Sequence, residues 1–231
     1  MKSISSFFDK VYCINLKERK DRWDLCEEKF KKYEITNYVR FDGVKVNGNL
    51  SSKKLGQIGC AASFYNVFKD AYENNYEKIL VLEDDFNFTV SKDEIANNLE
   101  KAFKEMPDDW DMFYLGANVM NEIMPNPIET YSENLFKLNS GYALHSVCFS
   151  KRSLDKILNF FKNERDWVEN LMNNYEAVDV FFAKDFQVSN KCFIWKDILS
   201  LQQPAFSSIE NTFFDYTDLM CNRFNYFKSV L

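Results

Sequence analysis

Residues 79–85 read ILVLEDD, a short aliphatic run that stops at three adjacent carboxylates, Glu83, Asp84 and Asp85. An uninterrupted apolar run of this length reads as a strand covered on both faces. The three acids cannot continue into the same core, so the strand has to end at the rim of a pocket or at solvent. Clustered carboxylates at such a rim can hold a divalent cation or organise polar substrate chemistry. Their mutual repulsion calls for a cation or a basic neighbour. An acidic strand-to-loop turn without chemistry is the plainer reading of the same residues.

The rest of the first third alternates strand and helix. KVYCINL at 10–16 is apolar on both faces and predicts a buried strand, and Trp23, Cys26, Phe30 and Tyr33 then fall on one helical stripe. NYVRF at 37–41 predicts a second strand. Ile58, Ala61, Tyr65, Phe68 and Tyr72 predict a helix over 57–75 that feeds the strand at 78–82. This alternation predicts an α/β fold with a substantially parallel sheet. Further on, Ser91 and Glu94 form a capping box before a helix, and WDMFYLG at 110–116 and KCFIW at 191–195 read as strands. Ser150 reads as the cap of another helix, and a further helical region lies around 165–175. Residues 117–134 lack a clear period and are expected to form an active-site or surface loop. Residues 211–231 form an aromatic-rich C-terminal extension, and 1–231 is expected to be a single domain.

Composition removes several function classes. With 23 Phe, 12 Tyr and 4 Trp the chain is too apolar to be disordered, and a net charge of −6 disfavours a general nucleic-acid surface. One histidine and six widely spaced cysteines do not make a zinc site, so free buried thiols of a reducing compartment are expected. MKSISSFFDK has no signal-peptide pattern, and no run is long enough for a transmembrane segment. A soluble protein in the cytoplasm or at the cytoplasmic face of a membrane is therefore expected.

Several separated motifs together resemble glycosyltransferase family 25, which includes bacterial lipooligosaccharide transferases and collagen galactosyltransferase-like proteins. The motifs are VYCINLKERKDRW at 11–23, GQIGCAASF at 56–64, ILVLEDDF at 79–86 and HSVCFSKRSLDKIL at 145–158. AVDVFF at 177–182 and QQPAFSSI at 202–209 match more weakly. The family often has Glu, His and Asp where this chain has Gln57, Phe64 and Ser208.

The resemblance implies a GT-A-like α/β fold with a mixed, largely parallel central sheet, and a metal-dependent, inverting glycosyltransferase. Such an enzyme moves a sugar from a nucleotide diphosphate donor, here a UDP-sugar, to a hydroxyl of a glycan, glycoprotein or glycolipid. Mn²⁺ or Mg²⁺ would sit on Asp85 directly, and on Glu83 directly or through water, while Asp84 orients the ribose or supports the turn. Arg22, and less so Arg19, are expected to face the donor. Asn15 is expected to contact the nucleotide or to satisfy backbone groups at the strand end. Asp179 is the candidate catalytic base, with Glu176 as its substitute. His145 is expected either to help bind the diphosphate or to be a packed strand residue. Gln202 and Ser207 are expected on the acceptor side. The alternatives are a non-catalytic glycosyltransferase-like binding protein and a metal-dependent nucleotide-sugar hydrolase.

Overall fold

A computed structural model describes residues 2–122, 124–207 and 212–231, without the side chains of 205–207. The chain opens with β1 (Lys10–Asn15), α1 (Lys20–Lys32), β2 (Tyr38–Asp42), α2 (Ser52–Glu73) and β3 (Lys78–Glu83). After the acidic turn come β4 (Phe86–Phe88), α3 (Lys92–Glu105), β5 (Met112–Tyr114), β6 (Asn118–Val119) and β7 (Ile128–Thr130). Next are β8 (Leu135–Leu138), β9 (Gly141–Tyr142), β10 (Ser146–Ser150), α4 (Lys151–Phe160) and α5 (Glu164–Asn174). The last part holds α6 (Val178–Phe181), a π-helical turn at Phe182–Phe186, α7 (Gln187–Ser189), β11 (Cys192–Trp195), β12 (Ser200–Gln202), β13 (Ala205–Ser207), β14 (Thr212–Phe214) and α8 (Thr217–Ser229).

The main sheet runs β2-β1-β3-β10-β5-β11-β8-β7. Three of its pairings are parallel and four antiparallel, yet only β10 and β8 oppose the other strands. The sheet is thus mixed in its pairing and largely parallel in direction, as the β/α alternation requires.

Strand alternation sorts side chains onto two cores. Tyr12, Ile79, Val81, Tyr114, Val147 and Phe149 join Ala61, Phe64 and Phe68 of α2 and Trp167 of α5 on one face. Val11, Cys13, Leu80, Leu82, Phe113 and Cys148 join Cys26 and Phe30 of α1 and Leu99 of α3 on the other. The first core is an aromatic stack in which Trp167, fully buried, meets Phe161 edge-on at 4.7 Å and donates its Nε1 hydrogen to the Ala61 carbonyl at 2.8 Å. Each such ring pair adds about 0.5–1.5 kcal/mol beyond its buried area.

Helix boundaries follow local chemistry. Ser91 accepts from the Glu94 amide and Ser150 from the Ser153 amide, as the sequence predicts. The second helix begins earlier than its apolar stripe suggests, at Ser52, because Ser51 caps it through the Lys54 amide. Residues 117–134 carry β6 and β7 in addition to connecting chain, and strand β5 is shorter than the apolar run 110–116. In the C-terminal region, α8 sends Phe224 and Phe227 into the first core. No helix among the described residues is long and apolar enough to cross a membrane. All six cysteines are free thiols.

Two glycines bring distant segments together where the cleft forms. A Cβ on Gly59 would lie 2.3 Å from the Val44 carbonyl oxygen, so only glycine lets the 43–46 loop press against α2. A Cβ on Gly116 would lie 1.9 Å from the Ser200 carbonyl oxygen, where β12 crosses the end of β5.

Candidate active site

The parallel register of β1 against β2 and β3 decides where the acids go. Ile14 pairs with Glu83 and Cys13 with Leu82, so Glu83 shares a face with Ile14 toward α2. One residue later, Asp84 turns to the opposite face, toward α1. There its Oδ2 accepts from Asn15 Nδ2 at 2.7 Å, its Oδ1 pairs with Arg22 Nη1, and its carbonyl accepts from the Cys26 thiol at 3.3 Å. Both carboxylate oxygens of Asp84 are therefore engaged by protein donors.

Glu83 and Asp85 are placed differently. On the α2 side, Glu83 Oε1 has the Cys60 thiol at 4.0 Å. Burial, followed by the charges of Asp85, Asp179 and Asp84, pushes the Glu83 carboxyl well above its ordinary range, against a smaller lowering by Arg22. Asp85 Oδ2 lies 3.9 Å from Arg22 Nη1, while its Oδ1 is buried with no hydrogen-bond partner among the described residues. Burial and the neighbouring Asp84 charge push the Asp85 carboxyl up to about 6, with Arg22 and Lys29 opposing.

These acids line a cleft of about 520 Å³ together with Arg19, Arg22, Gln202 and Gln203. The opposing wall comes from Val44 and Val46 of the 43–46 loop and from Leu55, Gly56 and Gly59 of α2, with Phe214 and Tyr216 at one side. Phe214 and Tyr216 stack with ring centroids 5.1 Å apart and an interplanar angle of 8°. Arg19 is tied to Asp21 through Nε at 2.9 Å. Gln202 belongs to β12, which pairs with β4 directly after the acidic turn. The Gln203 amide donates to the Asp85 carbonyl at 2.6 Å, and its Oε1 accepts from Lys29 Nζ at 2.9 Å.

Other candidates stand outside the lining. Asn15 lies beneath it, 1% exposed, and bridges to Asp84. Asp179, half-buried at the start of α6, accepts from the Ala143 amide at 3.2 Å, and burial raises its carboxyl. Its charge reaches Glu83 closely enough to help raise that group. Glu176 is exposed, with a left-handed φ of 70°. His145 is wholly buried with Nε2 3.0 Å from the Ser200 carbonyl oxygen, and burial lowers it to about 4. At neutral pH it is uncharged, a strand-end residue packed under β12. Ser207 sits on β13 opposite Thr212, its side chain outside the described residues, as is all of Ser208. No described residue of 117–134 lines the cleft.

Sequence reasoning did not single out Arg40, Lys29, Gln203, Phe214 or Tyr216. Gln203, Phe214 and Tyr216 line the cleft, whereas Lys29 and Arg40 stand behind it, bonded to Gln203 and Asn15; their placement depends on pairings and crossings between segments distant in the chain.

A family model described as glycosyltransferase family 25 (LPS biosynthesis protein) matches residues 8–164, which span β1 to α4 and include the whole acidic turn. The chain belongs to glycosyltransferase family 25. It is 32% identical over 153 residues to a putative glycosyltransferase of Acanthamoeba polyphaga mimivirus, a match covering 60% of this chain and 45% of the relative. It is 29% identical over 171 residues to the Homo sapiens procollagen galactosyltransferase 2, covering 65% of this chain and 27% of that protein. This family 25 chain therefore spans less than half the length of either relative. A galactosyltransferase solved in complex with donor and acceptor sugar analogues is similar over 96% of both chains, at 9% identity and a TM-score of 0.39, a likeness too low to argue from.

Among the described residues, no three His, Cys, Asp or Glu side chains group closely enough to hold a metal ion by themselves. Two carboxylates at a cleft nevertheless suit a hard cation whose remaining positions are filled by water and phosphate oxygens. Asp85 Oδ1, without a partner among the described residues, is the acceptor that such a cation would satisfy.

Proposed function

We propose that this chain is a GT-A-like inverting glycosyltransferase that takes a nucleoside diphosphate sugar, first of all a UDP-sugar, as donor and a hydroxyl of a glycan, glycoprotein or glycolipid as acceptor. One observation carries the reading: Glu83 and Asp85 line a cleft with Arg19 and Arg22, and Asp85 Oδ1 has no hydrogen-bond partner among the described residues. A diphosphate is the ligand class that such a mixture of acceptors and cations recognises, through a shared divalent cation and direct guanidinium contacts.

Asp85, with Glu83 beside it, would hold Mn²⁺ or Mg²⁺. When bound, that ion supplies neutralisation of the charge that builds on the departing diphosphate. Arg22 and Arg19 supply further positive charge. Arg22 is held in place by Asp84, so its guanidinium is pre-oriented and little reorganisation accompanies reaction. Asp179, outside the cleft lining but close enough for its charge to act on Glu83, is assigned as base: its carboxylate would take the acceptor proton as the hydroxyl oxygen bonds to the anomeric carbon and the bond to the diphosphate breaks. Gln202 is assigned to the acceptor side.

The test is to incubate the purified chain with UDP- and GDP-sugars, with and without Mn²⁺ or Mg²⁺, and follow donor and products by mass spectrometry beside Asp85→Ala and Asp179→Ala. Metal-dependent turnover of one donor, lost in Asp85→Ala, is expected. Free sugar as the sole product despite added acceptors would replace transfer with hydrolysis. UDP binding without turnover would leave a binding protein, and absence of any nucleotide binding would overturn the reading.

A further inference from the structure

Arg40, on β2, is absent from the cleft lining, yet it lies one hydrogen bond from the group that fixes the acidic turn. It pairs in register with Cys13 of β1, which places it on the face shared by Cys13 and Asn15. Its guanidinium lies over the Trp23 ring at 5.1 Å. Its Nη2 donates to Asn15 Oδ1 at 2.6 Å and reaches the Leu16 and Lys17 carbonyls at 3.4 and 3.2 Å.

The chemistry of these partners leaves the Asn15 amide one orientation. A guanidinium only donates and a carboxylate only accepts, so the amide must turn its oxygen to Arg40 and its NH₂ to Asp84. Asn15 Nδ2 then serves both Asp84 Oδ2 at 2.7 Å and the Arg19 carbonyl at 3.2 Å. A flipped amide would set oxygen against oxygen at Asp84 and NH₂ against guanidinium at Arg40. Asn15 is 1% exposed, so water cannot relieve either conflict.

We infer that Arg40 is a positioning residue: by holding Asn15 Oδ1 it steadies the amide that anchors Asp84 on the α1 side, where strand alternation places it, while Glu83 and Asp85 are the carboxylates presented to the cleft. This rests on the donor reading above and adds a residue to it. Without the Arg40 guanidinium, Asn15 Oδ1 is buried without that donor, and the amide that anchors Asp84 is held only through its NH₂. A less firmly held Asp84 then disturbs the Arg22 guanidinium that it shares with Asp85.

The experiment compares Arg40→Met, Arg40→Lys, Asn15→Ala and the Arg40→Met/Asn15→Ala double variant in the full chain. The Asn15 side-chain amide resonances are recorded by ¹⁵N NMR, and the Mn²⁺ concentration needed for half-maximal UDP binding is measured by calorimetry. Arg40→Met is expected to shift the Asn15 amide signals and to raise the Mn²⁺ requirement up to about tenfold, the scale of one lost charge-assisted hydrogen bond, with Asn15→Ala equal to it and the double variant no worse than either. Arg40→Lys, which retains one donor for Asn15 Oδ1, is expected between wild type and Arg40→Met, and it replaces Arg40→Met should that variant not fold. An unmoved Asn15 signal, or effects of the two single changes that add in full, overturns the inference. Wild-type protein that binds no UDP with Mn²⁺ overturns the donor reading instead, and the amide signals then decide the role of Arg40.

Discussion

Asp84 and Asp85 are adjacent acids on one turn, and the fold treats them in opposite ways. Asp84 faces α1, where Arg22 and Asn15 occupy both of its oxygens. Asp85 keeps a buried oxygen with no partner among the described residues and is pushed up to about 6 by burial and by Asp84 itself. The difference teaches that in a run of carboxylates the well-bonded one is architectural. On the proposed reading the one left under-satisfied is the one that meets the ligand, because a buried acceptor without a partner is costly unless something else fills it.

The comparison breaks most visibly at Asp85. Asp85→Asn is expected to lower cation-dependent donor turnover by roughly a thousandfold while the melting temperature holds or rises, read by initial rates beside thermal melts. Asp84→Asn should invert that pattern. It unbalances a pair whose side chains are 15% and 11% exposed, and is expected to cost about 1–3 kcal/mol of stability in denaturant unfolding, with a smaller loss of turnover than Asp85→Asn.

A third, smaller effect is a pH dependence. Folding raises the Asp85 carboxyl from 3.8 to about 6, so the native state binds its proton more tightly than the unfolded chain does. Without added cation, stability attributable to Asp85 is therefore highest below about pH 4, declines through the interval up to about 6, and stays low above it. The gap between Asp85→Asn and wild type is expected to open over that range to on the order of 1–2 kcal/mol. Chemical denaturation of both proteins from pH 4 to 7.5 checks this, and a gap that closes as pH rises would contradict it.

Much of the frame was legible in the chain. The strands β1 and β3, the stripe of α1 and the caps at Ser91 and Ser150 are local signals, and a local signal survives folding when burial agrees with it. The clustering of Glu83, Asp84, Asp85, Arg19 and Arg22 was legible because β1 and β3 are the strands most plainly written. The split between Asp84 and its neighbours was not, since it depends on which strand lies beside β3 and in which register. Nor was Arg40, whose role appears only once Cys13 and Arg40 are known to be paired. His145, singled out as the sole histidine, proves to be a buried strand-end residue bonded to the Ser200 carbonyl, because β12 crosses above it where Gly116 permits. The apolar wall at Phe214 and Tyr216 is likewise made by the chain returning from its far end.

The most direct test of the account is the Mn²⁺-dependent gain in UDP affinity, measured by isothermal titration calorimetry for wild type, Asp84→Asn and Asp85→Asn. The account predicts a gain in wild type that Asp84→Asn keeps in large part and Asp85→Asn abolishes. A gain abolished by Asp84→Asn and kept by Asp85→Asn would contradict it.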